Sequence, residues 1–468
     1  MMDLQRKQVL VMGAGRSGVA AARLARAHGA AVVLLDNAPE ERFEALKTQM
    51  AQEEIAFLPG FQEEQWRGGR IDLVVMSPGI AQGSPMDRVA LSTKALVMGE
   101  LEFGAAFLSC PMLAVTGTNG KTTTVELMAA CLREAGKRVM AAGNIGLPLS
   151  QVALEQPELE YLVVEVSSFQ LEHASSFHPL VAVVLNITPD HLNRHGTMEV
   201  YRELKLNLLR QVRAGGHAIY HANLEKFVNI PAEVVPDRLW LIGEEVKQGK
   251  RGTDWLVNSD GLARLEPDGT HKPLLSRAIL QLVGNHNLAN ALAVVAALSG
   301  IGIPLTAYLA AMSNFHSGPH RLQPIAECNG VAFFDDSKAT DVDAMKQALK
   351  TLGPTRGKKI LLIAGGLDKG CALLEVKSEL RMYVKEAYLI GDCRQRLAGL
   401  WREEIPCRLC DSLEAAVRDA AAMAKPGDTV LLSPGCASMD MFRDYEERGN
   451  RFREAVLALS AEDIGKSE

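Results

Sequence analysis

The chain has 468 residues, 47% of them hydrophobic, and its 50 basic and 56 acidic residues leave a net charge of −6 with no basic tract. That length suits about three domains of ordinary size, and the charge balance argues against a general binder of nucleic acid or of anionic membranes. A nucleotide ligand stays compatible, because a phosphate site needs only local positive potential. The opening MMDLQRKQVLVMGAG runs into a glycine turn instead of a cleavage site, so no signal peptide is expected. No apolar run approaches the ~20 residues of a membrane span. The eight cysteines are scattered as in a reduced cytosolic protein. Cys407 and Cys410 have C-x-x-C spacing, but no second pair or histidine cluster completes a zinc site.

Residues 8–36 predict a strand, a G-x-G-x-x-G turn at Gly13, Gly15 and Gly18, an amphipathic helix, and a second strand ending in Asp36. The pattern is that of a dinucleotide fingerprint with an acidic residue at ribose distance; the same glycines also serve close helix–strand packing in domains that bind no NAD. IDLVVMSPGI, from Ile71 to Ile80, predicts a buried strand ending in a turn of Ser77, Pro78 and Gly79. That turn falls at the carboxyl edge of the same sheet, where ligands of open α/β sheets bind.

LAVTGTNGKTTT, from Leu113 to Thr124, predicts a strand, a tight turn and a helix start. Backbone N–H groups and a helix N-terminus there would cradle a phosphate chain, with Lys121 reaching its end and Thr122 offering a hydroxyl to magnesium. The match to G-x-x-x-x-G-K-[ST] is partial, since Val115 stands at the first glycine position. A strand and polar turn containing Asn144 follow, then YLVVEVSSFQLE, whose apolar run is broken only by Glu165. A carboxylate there needs a salt-bridge partner or an ion, and a magnesium ligand beside the cradle fits. LVAVVLNIT then ends in a polar run holding Asp190, His191 and His195, a third candidate strand end.

The next helix has the stripe Met198, Tyr201, Lys205, Leu208, Val212. A lysine on a buried stripe snorkels, pairs or changes its chemistry, and spacing alone reads most simply as snorkelling. If that face looks at the ions, carbon dioxide could convert the amine into an anionic carbamate ligand. Gly243 to Leu275 read as a β-hairpin insertion, and a long helix then begins at His286, Asn287 and Asn290. After Pro319 come His320, Arg321 and alternating strands and helices that predict another doubly wound parallel sheet. Asp336, Lys338, Thr340, Lys369 and Ser438 fall at its carboxyl ends.

Together TGTNGKTT, EVSSFQLE, NITPDHLNRHGTMEVY, DDSKAT, GGLDKG and SPGCASMDMF make the chain similar to the Mur ligase family over essentially its whole length. The resemblance implies an α/β protein of three domains. These are a Rossmann-like UDP-sugar-binding domain (1–99), a central P-loop ATPase-type domain with a mainly parallel sheet (100–317), and a Rossmann-like amino-acid-binding domain (318–468). It implies that Gly13, Gly15, Gly18, Asp36, Ser77 and Gly79 line a uridine diphosphate pocket, with no NAD. Thr116, Gly117, Thr118, Asn119, Gly120, Lys121, Thr122 and Thr123 then hold ATP together with Asn290, Arg321 and Asp336.

By the same resemblance Thr122, Glu165, His191 and carbamylated Lys205 are magnesium ligands, and Lys121, Glu165, His191, Lys205 and Arg321 are the catalytic set. Asn144 falls near the substrate, and Lys338, Thr340, Lys369, Ser438 and Tyr445 around the incoming amino acid. No DNPR-type loop or HGKT form is present. The branch implied therefore adds D-glutamate to UDP-N-acetylmuramoyl-L-alanine with ATP and Mg2+, as a cytoplasmic monomer. Asp341 and Tyr445 stand where the family pattern has asparagine and phenylalanine. The rivals are a related ligase adding another amino acid or extending folate, a nicotinamide oxidoreductase and a non-catalytic nucleotide-binding regulator. The oxidoreductase leaves TGTNGKTT, Glu165 and His191 unexplained.

Overall fold

A computed structural model describes residues 2–155, 158–280, 285–315, 318–368 and 373–464. The first sheet contains β1 (Gln8–Met12), β2 (Ala31–Leu35), β3 (Ala56–Leu58), β4 (Leu73–Met76) and β5 (Leu96–Gly99). Its order is β3-β2-β1-β4-β5 with every neighbour parallel. Val9, Leu10, Val11 and Met12 are all at most 1% exposed, since helices on a parallel sheet bury both faces and leave no room for polar alternation.

The central sheet contains β6 (Met112–Thr116), β7 (Val139–Gly143), β8 (Tyr161–Glu165), β9 (Val181–Val184), β10 (His217–His221), β11 (Val235–Trp240), β12 (Thr253–Val257), β13 (Gly261–Leu265) and β14 (His271–Ser276). The order is β14-β13-β12-β11-β10-β9-β6-β8-β7. It is parallel from β7 to β12 and antiparallel only where β13 and β14 are added. The expected hairpin is thus the antiparallel edge of this sheet, extended by a third strand. β10 and β11 were not legible as apolar runs because charged side chains pair within the sheet. His217 meets Asp237 at 2.7 Å, and buried Arg238 meets Asp254 at 2.7 Å.

The third sheet contains β15 (Gln323–Cys328), β16 (Val331–Asp335), β17 (Ile360–Gly365), β18 (Val384–Ile390), β19 (Cys407–Leu409) and β20 (Thr429–Leu432). Its order is β15-β16-β20-β17-β18-β19, with β15 alone antiparallel to its neighbour. Cys407 lies on β19 and Cys410 just beyond it, both free thiols that burial pushes up to about 11. They behave as packing residues of an edge strand.

The described chain divides into two compact units. One holds the first and central sheets with the helix residues from Leu288 to Gly300. The other holds the third sheet, together with Thr188–Gly196 and residues 285–287. Among the described residues no helix is long and apolar enough to cross a membrane.

Candidate functional site

Three neighbouring strands of the central sheet end at one place. In register, Val115 of β6 and Gly143 of β7 both face Glu165 of β8, and Thr116 pairs with Val184 of β9. β6 hands its chain to a turn and then to the helix Lys121–Glu134. Gly120 sits at φ +85° in the left-handed region, and a Cβ there would stand 2.4 Å from Asn290 Oδ1, so the turn needs glycine on both counts. Asn290, on the helix Asn285–Gly300, is therefore packed against the cradle that the sequence predicted it to serve.

One residue that sequence reasoning missed secures the turn. Asn186 follows β9; its side-chain oxygen accepts the Asn119 N–H at 2.8 Å and its amide donates to the Asn119 carbonyl at 3.0 Å. Its backbone carbonyl also accepts the Thr118 N–H at 2.9 Å. The only sequence signal was a polar side chain closing an apolar strand.

Lys121 Nζ donates to the carbonyls of Gly117 at 2.9 Å and Thr118 at 2.7 Å. Lys205, on the helix Met198–Arg210, does not snorkel: it is 1% exposed, and its Nζ donates to the same Gly117 carbonyl at 2.8 Å. The bland reading of the stripe fails because the strand-end carbonyl and Thr116 Oγ1, 3.4 Å away, supply buried acceptors that spacing could not reveal. Tyr201 lies one turn earlier on that helix, its hydroxyl 3.1 Å from Thr118 Oγ1.

Glu165 is 2% exposed. Its Oε1 accepts from Asn144 Nδ2 at 2.8 Å, while Oε2 is buried without a hydrogen-bond partner. A buried carboxylate oxygen left so is costly unless a cation meets it. The donor set thus suits a hard divalent ion: one oxygen fixed by an amide, the other uncommitted, and threonine hydroxyls at Thr122 and Thr123 opening the adjacent helix.

On the first sheet the glycines divide by role. A Cβ on Gly18 would stand 1.7 Å from the Gly13 carbonyl, and one on Gly13 would meet Ser77 Cβ at 3.0 Å. These two permit helix, strand and Ser77 to touch, and Ser77 Oγ donates to the Gly13 carbonyl at 3.1 Å. Gly15 and Gly79 have no heavy atom within 4 Å of such a Cβ, so they border open space. Asp36 accepts the N–H groups of Ala14 at 2.7 Å and Ala38 at 2.8 Å, which shapes the turn itself.

The second unit carries the remaining predicted residues. His191 adopts φ +53°, a strained value for a residue with a side chain, and its Nε2 lies 3.2 Å from Asp190 Oδ2. Asp336 follows β16 and accepts from Ser433 Oγ at 2.8 Å and Leu322 N–H at 3.2 Å. Burial pushes its carboxyl up to about 8, those two bonds and the Arg321 charge opposing the rise. Lys338 Nζ stands 5.0 Å from the centre of the Tyr445 ring. Thr340 lies in the turn after Lys338, and Ser438 is buried beyond β20. Lys369 lies outside the described residues. Both departures from the family pattern acquire local explanations. Asp341 caps the helix Val342–Arg356 through a 2.8 Å bond from Ala344 N–H, a role asparagine fills equally well. The added hydroxyl of Tyr445 donates to Glu446 at 3.1 Å and leaves the ring face to Lys338.

Comparison with known proteins places these features in context. Residues 115–298 match the Mur ligase middle domain, and residues 320–436 match the Mur ligase, glutamate ligase domain. A UDP-N-acetylmuramoylalanine–D-glutamate ligase of Pelotomaculum thermopropionicum is 39% identical over 465 residues, covering 98% of this chain and 99% of its own. A protein of the same name from Geobacter metallireducens is 35% identical over 98% of this chain and 99% of its own. Among solved structures, a UDP-N-acetylmuramate–alanine ligase of Thermotoga maritima has a TM-score of 0.59 at 20% identity, covering 97% of this chain and 99% of that one. The MurF ligase of Thermotoga maritima in complex with ADP has a TM-score of 0.59 at 18% identity and full coverage of both chains. These structural likenesses speak for the α/β fold.

Proposed function

Because the chain belongs to the Mur ligase family, we propose that it joins D-glutamate to UDP-N-acetylmuramoyl-L-alanine at the expense of ATP, in peptidoglycan precursor synthesis. The observation that carries the chemistry is the meeting of the Lys121 turn, the uncommitted Glu165 oxygen and buried Lys205 on one sheet edge. In this reading the first sheet belongs to a Rossmann-like UDP-sugar domain, the central sheet to the ATP domain and the third to a Rossmann-like amino-acid domain. The enzyme acts as a cytoplasmic monomer.

The acceptor's alanyl carboxylate attacks the γ-phosphorus of ATP, the bond to the bridging oxygen breaks, and ADP leaves an acyl phosphate. The amine of D-glutamate then attacks the acyl carbon; the C–O bond to phosphate breaks, a proton is released and the amide remains. Meeting of two anions is chiefly a matter of charge and alignment. Lys121 spreads the developing charge on the transferred group, and the backbone N–H groups of the turn orient the phosphate chain. Thr122, Glu165 and a Lys205 carbamate would hold magnesium, which supplies neutralisation of the polyphosphate when bound. In the second unit His191 is a further candidate ligand for magnesium. There too, Arg321 and Asp336 serve the nucleotide, and Lys338, Thr340, Lys369, Ser438 and Tyr445 serve the amino acid.

A physical argument favours the carbamate. Two ammonium groups on the single Gly117 carbonyl repel one another by on the order of a few kcal/mol at an effective dielectric constant of ~20. Loss of the Lys205 ammonium proton, then addition of carbon dioxide to the free amine with loss of a second proton, replaces that repulsion by attraction and supplies an anionic oxygen. Mass spectrometry of the product formed from UDP-N-acetylmuramoyl-L-alanine, D-glutamate and ATP tests the function. One amide-linked glutamate is expected per ADP formed; ATP consumption without that product, or with another amino acid preferred, overturns it.

A further inference from the structure

Arg448, on the helix Tyr445–Ile464, is the largest buried cation among the described residues of the second unit, with 0% exposure. Its Nη2 donates to the Ser337 carbonyl at 2.8 Å and its Nη1 to the Cys436 carbonyl at 3.1 Å, while Nε is buried without a hydrogen-bond partner. Among the described residues no carboxylate pairs with it; Asp335, Asp336 and Asp440 act on it only through space. A guanidinium held this way is an expensive core residue, and an apolar side chain of similar shape is ordinarily tolerated at least as well. Its contacts explain its presence. Ser337 precedes Lys338, Cys436 lies two residues before Ser438, and Arg448 shares its helix with Tyr445.

A third loop is tied to the same point. A Cβ on Gly366 would stand 3.3 Å from Arg448 Nη1. Its neighbour Leu367 exchanges backbone hydrogen bonds of 2.8 and 3.0 Å with Ala437, just ahead of Asp368 and Lys369. Ser337 Oγ donates to the Tyr445 carbonyl at 2.9 Å, closing the ring of contacts. Gly449 completes the close packing, since a Cβ there would lie 2.1 Å from His320 Nδ1 and 2.5 Å from Ser337 Oγ.

We infer that Arg448 is a positioning residue for the amino-acid site, strapping together three loops and its own helix so that Lys338, Thr340, Ser438 and Tyr445 converge on one dicarboxylate. The inference rests on the reading given under Proposed function. Arg448 is fully buried on loop carbonyls, and its fixed positive charge also favours an anionic guest at that edge.

The test uses the full-length enzyme with Arg448→Met, Arg448→Lys and Ser337→Ala. Arg448→Met is expected to unfold cooperatively near the wild-type Tm. Its KM for D-glutamate should rise on the order of tenfold or more, with KM for ATP and for the UDP-sugar within about threefold. Arg448→Lys should fall between, and Ser337→Ala, which keeps the guanidinium, should raise the D-glutamate KM by roughly two- to fivefold. Amide hydrogen exchange should quicken in residues 337–340 and 436–438 of each variant and stay unchanged on the central sheet. Equal movement of all three KM values in step with Tm, or unchanged exchange in those loops, overturns the inference. Should Arg448→Met fail to fold, Ser337→Ala decides. Wild-type enzyme without D-glutamate-dependent turnover defeats the functional reading instead, and the exchange data still decide whether the strap exists.

Discussion

The first unit contains two strand–glycine-turn–helix junctions of similar outline, one at Gly13–Gly18 and one at Gly117–Lys121, and they are built for different work. At the first, two glycines are consumed by contact of helix with strand, and a carboxylate, Asp36, stitches the turn to itself. At the second, two lysines converge on one carbonyl, and an asparagine from the next strand ties the turn from outside. Glycine spacing reports how closely backbones approach; the sign of the charge beside the turn reports what can bind there. In the proposed function the ATP phosphates sit at the second junction, where cations gather.

The largest effect expected from breaking this contrast is at Lys205. Replacement by alanine should lower amide formation by on the order of a thousandfold or more, measured as D-glutamate-dependent phosphate release. Short-chain carboxylic acids should restore part of it by standing in for the carbamate. Wild-type-like turnover in the variant would remove the lysine from the mechanism.

Next come the glycines of the first junction, which should separate packing from binding. Gly18→Ala drives a methyl group into the Gly13 carbonyl and should cost about 1–3 kcal/mol or prevent folding, read by denaturant unfolding. Gly15→Ala meets no neighbour, so its stability should change by less than ~0.5 kcal/mol, with its effect confined to KM for the UDP-sugar. Equal destabilisation by both would erase the distinction drawn between them.

A smaller effect concerns pH. The Asp336 carboxyl is raised by burial from 3.8 to about 8, so its contribution to stability is fully present below the unfolded value and is lost as pH rises towards and through about 8. Asp336→Asn should flatten that decline, and thermal melts from pH 4 to 9 should show the variant gaining on the wild type as pH rises. Parallel curves would show that the carboxyl does not titrate there. The smallest change is Asp341→Asn, which exchanges one good helix cap for another and should shift stability by less than ~0.5 kcal/mol.

What could be read from sequence follows the same physics. The Lys121 turn is contiguous, and Glu165 and Lys205 stand out as charges in apolar patterns, so each announced itself locally. Lys205 was legible as an anomaly but not in its resolution, because the carbonyl it meets belongs to a turn 88 residues earlier. Asn186 and Arg448 carry no local signal: one is a polar residue after a strand, the other one arginine among the charges of ERGNR, and tertiary contact alone gives each its role. Strands β10, β11 and β15 escaped because paired charges or half-exposed edges replaced the apolar run that marks a buried strand.

The central claim, that ATP activates the acceptor's carboxylate before the amine arrives, is tested most directly by labelling that carboxylate with oxygen-18 and analysing the phosphate released on addition of D-glutamate. An acyl phosphate passes one labelled oxygen to phosphorus, so the account predicts phosphate carrying a single heavy oxygen. Phosphate free of label, with amide formed, would contradict it.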